Sequence, residues 1–175
     1  KKALALRCEA HQTLGQWFTR HAFNEDESVV SDKRAAEEIP YQWQQAKNWT
    51  RLEEFLTSTS GFMGLIKHRS QQEALMYWRN VESHTTTQLN AVGIDLARRW
   101  YKTNPNQIGA STLLAWAEFL VYASRYQAAL DSLDLLAQLM HHLTPDEQEQ
   151  TALIKSDALV SNSDYDAGIM TLHRL

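Results

Sequence analysis

Three short stretches of this chain obey one rule, and the rule limits the fold more than any bulk property does. Each carries a polar pair, then an aromatic, then an apolar or small residue three positions on. They are Asn48-Trp49 with Leu52, Arg125-Tyr126 with Ala129, and Asp164-Tyr165 with Gly168. The aromatics stand 77 and 39 positions apart, so the first spacing is close to twice the second. A period near 38–40 residues is longer than the ~34 of a tetratricopeptide repeat and lies within the range of helical-hairpin solenoids. The physics of such a rule is simple. Two antiparallel helices need a short turn, a small residue early in the second helix lets the backbones approach, and an aromatic fills the wedge where they diverge. The competing reading is an ordinary helical bundle with coincidental spacing.

Composition agrees with helices. The 175 residues include only 6 Gly and 3 Pro, too few for the tight turns of an all-β protein. Ala, Leu, Gln, Glu and Arg, all good helix formers, are plentiful. With 43% hydrophobic and 22% charged residues, a packed core is feasible and disorder is disfavoured. The expected fold class is all-α, with antiparallel helical hairpins stacked as a tetratricopeptide-like α-solenoid.

Along the chain, Leu4, Cys8, His11, Gly15 and Phe18 predict an amphipathic helix ending near His21. Residues 22–32 read as an acidic, solvated loop. Asp32 can cap a helix reaching Lys47, inside which Pro40 kinks or divides it. Trp49–Leu56 predicts the partner helix, broken by Ser58-Thr59-Ser60-Gly61. Phe62, Met63, Leu65 and Ile66 form a short apolar turn or helix. Ser70 with Glu73 resembles a capping box. Leu89 to Trp100 follows helical spacing and stops at Asn104-Pro105-Asn106. A hairpin is predicted over 107–143, with Trp116, Ala117 and Phe119 inward on its first helix and Ala129, Leu133, Leu136, Ala137 and Met140 inward on its second. Thr144-Pro145-Asp146-Glu147 is a helix start, and a last helix follows Asn162-Ser163-Asp164. The expected organisation is a first helical region over 1–82 and repeats over 83–175.

Stretches of the first region match a known pattern. His11, Leu14, Trp17 and Phe18 are followed by Ala36-Glu37-Glu38-Ile39-Pro40-Tyr41-Gln42-Trp43, then Ala46-Lys47-Asn48-Trp49, Leu52, Phe55-Leu56-Thr57 and Tyr77-Trp78-Arg79. From about Leu6 to Val81, the chain resembles a region of large signalling NTPases of the STAND class, including NACHT-type and nephrocystin-3-like proteins. There it lies between the nucleotide-binding and winged-helix parts and the C-terminal repeats. Trp43 stands where that family more often has Leu. No Gly-x-x-x-x-Gly-Lys-Ser/Thr loop occurs. The resemblance implies an NTPase upstream and a sensor arm here. Such proteins stay inactive until their repeats meet a trigger, then oligomerise and switch on an effector, and in bacteria many defend against phage by binding viral proteins.

The other chemistry looked for is thin. The seven histidines, His11, His21, His68, His84, His141, His142 and His173, show no His-x-x-x-His pair, and no metal site or cofactor is expected. Glu37-Glu38 and Glu53-Glu54 are adjacent on helices, so each pair splays by about 100° and reads as a solvated face. Asp164–Gly168 lacks the later ligands of a calcium loop. Asn48-Trp49-Thr50 is a glycosylation sequon in form only. Arg98-Arg99 with Trp100-Tyr101-Lys102 reads as a cationic helix end rather than a nucleic-acid or partner patch. Net charge of −4 argues against a general nucleic-acid binder. Cys8, the single cysteine, reads as a buried structural thiol in a reducing, cytoplasmic setting. No apolar run approaches the ~20 residues needed to cross a bilayer. The chain begins without Met and ends at His173-Arg174-Leu175 inside a helical pattern, so a segment of a larger protein is expected.

No enzymatic centre is predicted. The expected partners are a protein ligand and upstream domains of the same chain, with no membrane. The alternative is a repeat scaffold or adaptor without an NTPase. The outward positions of the best hairpin are Ser111, Leu114, Glu118 and Tyr122, with Gln150 and Asp157 added by the next; these form the expected ligand face. Trp17, Trp49, Trp100 and Trp116 are expected inward.

Overall fold

The computed structural model describes residues 2–22, 33–103, 110–139 and 143–173. Within them the chain is all-helical, with no strand. The helices are α1 (Lys2–His21), α2 (Lys33–Gln45), α3 (Trp49–Thr57), α4 (Thr59–His68), α5 (Gln71–His84), α6 (Leu89–Thr103), α7 (Ala110–Tyr122), α8 (Tyr126–Leu139), α9 (Pro145–Ser161) and α10 (Tyr165–Leu172). They divide into two compact units, Lys1–Thr87 and Gln88–Leu175.

The three turns singled out by sequence share one hydrogen-bonding pattern. Among the described residues, Lys47, Ser124 and Ser163 are the non-glycine residues with positive φ, at 56°, 58° and 69°. Around the first, the amide of Asn48 donates to the Trp43 carbonyl and that of Lys47 to the Gln44 carbonyl, both at 3.0 Å. Around the second, Arg125 reaches Leu120 and Ser124 reaches Val121, both at 2.8 Å. Around the third, Asp164 reaches Leu159 at 2.8 Å and Ser163 reaches Val160 at 3.0 Å. Each is a complete Schellman motif, which satisfies the orphan carbonyls at a helix end. The next residue begins a new helix, whose first bonds run from Leu52, Ala129 and Gly168 back to Asn48, Arg125 and Asp164. Asn48 and Asp164 also accept from the amides of Arg51 and Ala167, capping their helices.

Leu52, Ala129 and Gly168 are all buried, and so are Pro40, Ala117 and Ser156, twelve positions earlier in the facing helices. At the third hairpin the two backbones meet directly. The Ser156 hydroxyl donates to the Gly168 carbonyl at 3.0 Å. A Cβ on Gly168 would lie 2.7 Å from Val160 Cγ2, so only glycine fits without displacement.

In the first unit, α2 packs against α1, α3, α4 and α5. It buries Ala35, Ala36, Ile39, Pro40 and Trp43. Pro40 does not divide the helix, which runs unbroken from Lys33 to Gln45. Its missing donor affects one turn, and its ring is wholly buried. Gly15 of α1 sits under the Trp43 indole, where a Cβ would come within 3.0 Å of the ring. The break after α3 is the single residue Ser58, whose hydroxyl accepts from the Gly61 amide and starts α4. Arg69 ties helices together: it grips both oxygens of Glu73 in α5 at 2.7 and 3.0 Å and reaches Glu37 of α2 at 3.1 Å. Ser70 caps α5 as expected, accepting from the Glu73 amide; the Glu73 carboxylate turns to Arg69.

In the second unit, α7 packs against α6, α8 and α9, α8 packs against α6 and α9, and α10 packs against α9. The Trp116 indole is fully buried, donates to the Gly93 carbonyl at 2.9 Å and meets Trp100 edge-on at 5.1 Å. On α8, Ala129, Leu133 and Leu136 are buried as expected; Ala137 is exposed and Leu135 takes an inward place. Thr144 and Glu147 complete a reciprocal capping box at the start of α9, with Pro145 in its first turn.

Candidate functional site

On α7, Ala110, Thr112, Leu113, Leu114, Trp116, Ala117, Phe119 and Leu120 are all buried. What remains outside is one narrow stripe, Ser111, Glu118 and Tyr122, at i, i+7 and i+11, with Ala115 half-buried between them. Tyr122 keeps 46% of its surface exposed. Leu114, expected on that face, has no exposed surface. The reason is that α7 is covered by three helices, so its apolar sector is far wider than the one-sided stripe of a surface helix. On α9, Gln150 and Asp157 are exposed, with exposed Leu153 between them at helical spacing. The two stripes belong to helices packed on one another in the same unit.

The tryptophans divide differently from expectation. Trp100 and Trp116 are buried, and Trp43 and Trp78 join them. Trp49 is half-buried and stacks on His84 at 4.0 Å. Trp17 is 52% exposed, packed edge-on to Phe18 and stacked on His21 at 4.5 Å. Its i+4 histidine covers one ring face. Leu4 is also exposed, and Cys8 is half-buried rather than buried, its Sγ 3.9 Å from the Gln45 carbonyl.

Most polar groups weighed in the sequence have local partners; the buried Nε2 of His68 has none among the described residues. His11 Nδ1–H donates to Gln42 Oε1 at 2.6 Å, and Gln42 Nε2 donates to Glu38 at 2.7 Å, which satisfies a buried amide. His21 and His84 donate to the carbonyls of Trp17 and Asn80. His141 and His142 lie outside the described residues. Each paired carboxylate splits: Glu37 joins Arg69 and Glu38 joins Gln42, while Glu53 accepts from Thr87 at 2.6 Å and Glu54 joins Arg51 at 2.7 Å. Arg98 lies 3.8 Å from Asp95; Trp100 beside it is buried and Tyr101 is half-buried, so the cluster presents no fully exposed aromatic for base stacking. Among the described residues no three His, Cys, Asp or Glu side chains gather as a metal-binding group. No described helix is long and apolar enough to cross a membrane.

Two pKa values move. Hydrogen bonding to Glu73 raises that of Arg69, with Glu37 adding to the effect. Burial, reinforced by the Glu73 carboxylate, pushes Tyr77 up to about 12. Tyr77 lies in the core of the first unit, whereas Arg69 is exposed at the end of α4.

One concavity has no counterpart in the sequence expectations. A cleft of about 350 Å³ opens over α2 in the first unit. Ile39, Trp43 and Phe55 form its base, while Arg20 of α1 and Arg51 of α3 bring two cations to it. No protein-family model, curated protein or solved structure matches the chain.

Proposed function

We propose that this chain is a non-catalytic protein-interaction and sensor segment, built of tetratricopeptide-like stacked hairpins. Within a STAND-type NTPase it would bind a protein trigger, such as a phage protein, and control upstream domains. The carrying observation is the Ser111–Glu118–Tyr122 stripe, the part of α7 left outside a nearly all-round apolar helix. The repeated Schellman turn supports the stacked-hairpin reading. So does packing in which α9 covers both helices of the α7–α8 hairpin.

Charge narrows the trigger. Gln88–Leu175 holds 10 Asp and Glu against 6 Lys and Arg. A basic segment of the trigger protein suits this unit, since complementary potential raises association rates and suppresses wrong partners. Tyr122 supplies the amphipathic aromatic common at binding hot spots.

The test is a capture experiment from phage-infected bacterial cells with the wild-type chain and the Glu118→Ala/Tyr122→Ala variant as baits. A protein held by the wild type and lost by the variant supports the face, provided both melt within about 0.5 kcal/mol of each other, as surface changes do. Identical captures would remove these residues from the interface. The reading frame upstream separates sensor from adaptor: a Walker A loop supports the first, and its absence makes the chain a scaffold module.

A further inference from the structure

The cleft over α2 combines an apolar base with an excess of positive charge. α1 is drawn onto α2 where Gly15 admits the Trp43 ring, and α3 returns along α2 after the Lys47 turn. Ile39, Trp43 and Phe55 therefore lie at the base, each almost wholly buried. At the mouth, Arg51 uses one guanidinium nitrogen on Glu54 at 2.7 Å; a guanidinium has five N–H donors, so most remain available. Arg20 pairs with no other residue among those described. The cleft thus carries two cations and one carboxylate.

The hydroxyls nearby are already committed. Thr19 donates to the Gly15 carbonyl at 2.7 Å, and Ser58 donates to the Phe55 carbonyl at 2.8 Å. Polar recognition is left to Arg20, Arg51 and the exposed Gln16 amide. Small-molecule sites are concave, run from about 300 to 1,000 Å³, and pair apolar walls with a few converging polar groups. This cleft meets each condition at the small end of that range. A guanidinium fork matches a carboxylate or sulfonate better than any neutral group.

We propose that the cleft binds a small organic anion: a carboxylate or sulfonate head between Arg20 and Arg51, on an apolar body of one or two rings over Trp43 and Phe55. This site lies in the first unit and is independent of the protein-binding face on α7.

The probe is 1-naphthaleneacetate, and its neutral control is 1-naphthaleneethanol, which has the same ring and no charge. Binding to the full chain is followed by calorimetry and ligand-observed NMR. The acid should bind at submillimolar concentration and the alcohol at least tenfold more weakly. Arg20→Ala should weaken the acid about tenfold, the loss of one charge-assisted contact. Glu54→Gln should tighten it severalfold, because it frees Arg51 and removes the competing carboxylate. Unchanged melting of both variants shows that the fold is retained. The proposal is overturned if acid and alcohol bind equally, if Arg20→Ala binds like wild type, or if the acid does not bind at millimolar concentration.

Discussion

Lys1–Thr87 carries 11 Lys and Arg against 11 Asp and Glu, whereas Gln88–Leu175 carries 6 against 10. The first unit puts much of that charge to internal use. Arg69 joins Glu37 and Glu73, Glu38 completes a chain through Gln42 to His11, and Glu53 holds Thr87. The second unit is built around aromatic and aliphatic packing on α7, with acidic groups such as Glu118, Asp146 and Asp157 outside. Both units turn their hairpins in the same way, yet the first gathers its polar ties into a charged network around Arg69, whereas the second adds single ties, Trp116 to Gly93, Ser156 to Gly168 and Lys155 to Asp134, to its aromatic and aliphatic bulk. Turn geometry and core chemistry are therefore separable choices in this chain: the first is set by three or four adjacent residues, the second by whole helix faces.

The sharpest way to break that comparison is to remove a large aromatic from each unit. Trp116→Ala deletes a fully buried indole with a hydrogen bond and should cost about 3–5 kcal/mol in denaturant unfolding. Trp17→Ala removes a half-exposed ring and should cost under about 1 kcal/mol. Equal losses would mean that exposure does not separate the two tryptophans energetically.

Alkaline titration sharpens it further, because Tyr77 belongs to the first unit alone. Its hydroxyl ionises near 10 in the unfolded chain and at about 12 when folded. Below pH 10 both states are protonated and its contribution is whole. Between 10 and 12 the unfolded state releases the proton first, so stability falls with rising pH, by about 3 kcal/mol in all. Tyr77→Phe should flatten that loss. A wild-type curve as flat as the variant's would contradict the raised value.

The smallest effect tests whether the turns are equivalent. Lys47→Gly, Ser124→Gly and Ser163→Gly each relieve a left-handed residue of about 1 kcal/mol of strain, offset in part by the freer unfolded chain. Each should leave stability unchanged or raised by a few tenths of a kcal/mol. A loss at one site alone would set that turn apart from the other two.

Much of the helix layout was legible because its signals are local. A polar pair, an aromatic at the first helical position and an apolar or small residue three on suffice to place a turn, and Thr144-Pro145 suffices to start a helix. The inward side of one-sided helices was legible too, as at Leu52, Leu133 and Leu136. Leu114 was not, because a helix covered by three neighbours offers no single polar side from which to count. Nor was Trp17, whose exposure depends on which helices reach α1. Pro40 was misjudged as a possible break because local steric rules omit the packing that holds its ring. The cleft was invisible in principle: Arg20, Trp43 and Arg51 come from three helices, and no spacing along the chain relates them. Of the expected ligand face, the exposure of Ser111, Glu118, Tyr122, Gln150 and Asp157 was readable.

The packing pattern has a kinetic side. Every substantial helix–helix contact joins elements no more than three helices apart along the chain. Contacts so near in sequence require little loop closure before they form, and chains of this kind fold quickly. The Schellman turns at Lys47, Ser124 and Ser163 shorten the search again, since each fixes the entry direction of its second helix through neighbouring amides. Apolar surface such as that of α7 is then exposed only briefly during folding, which limits the interval in which partly folded chains aggregate.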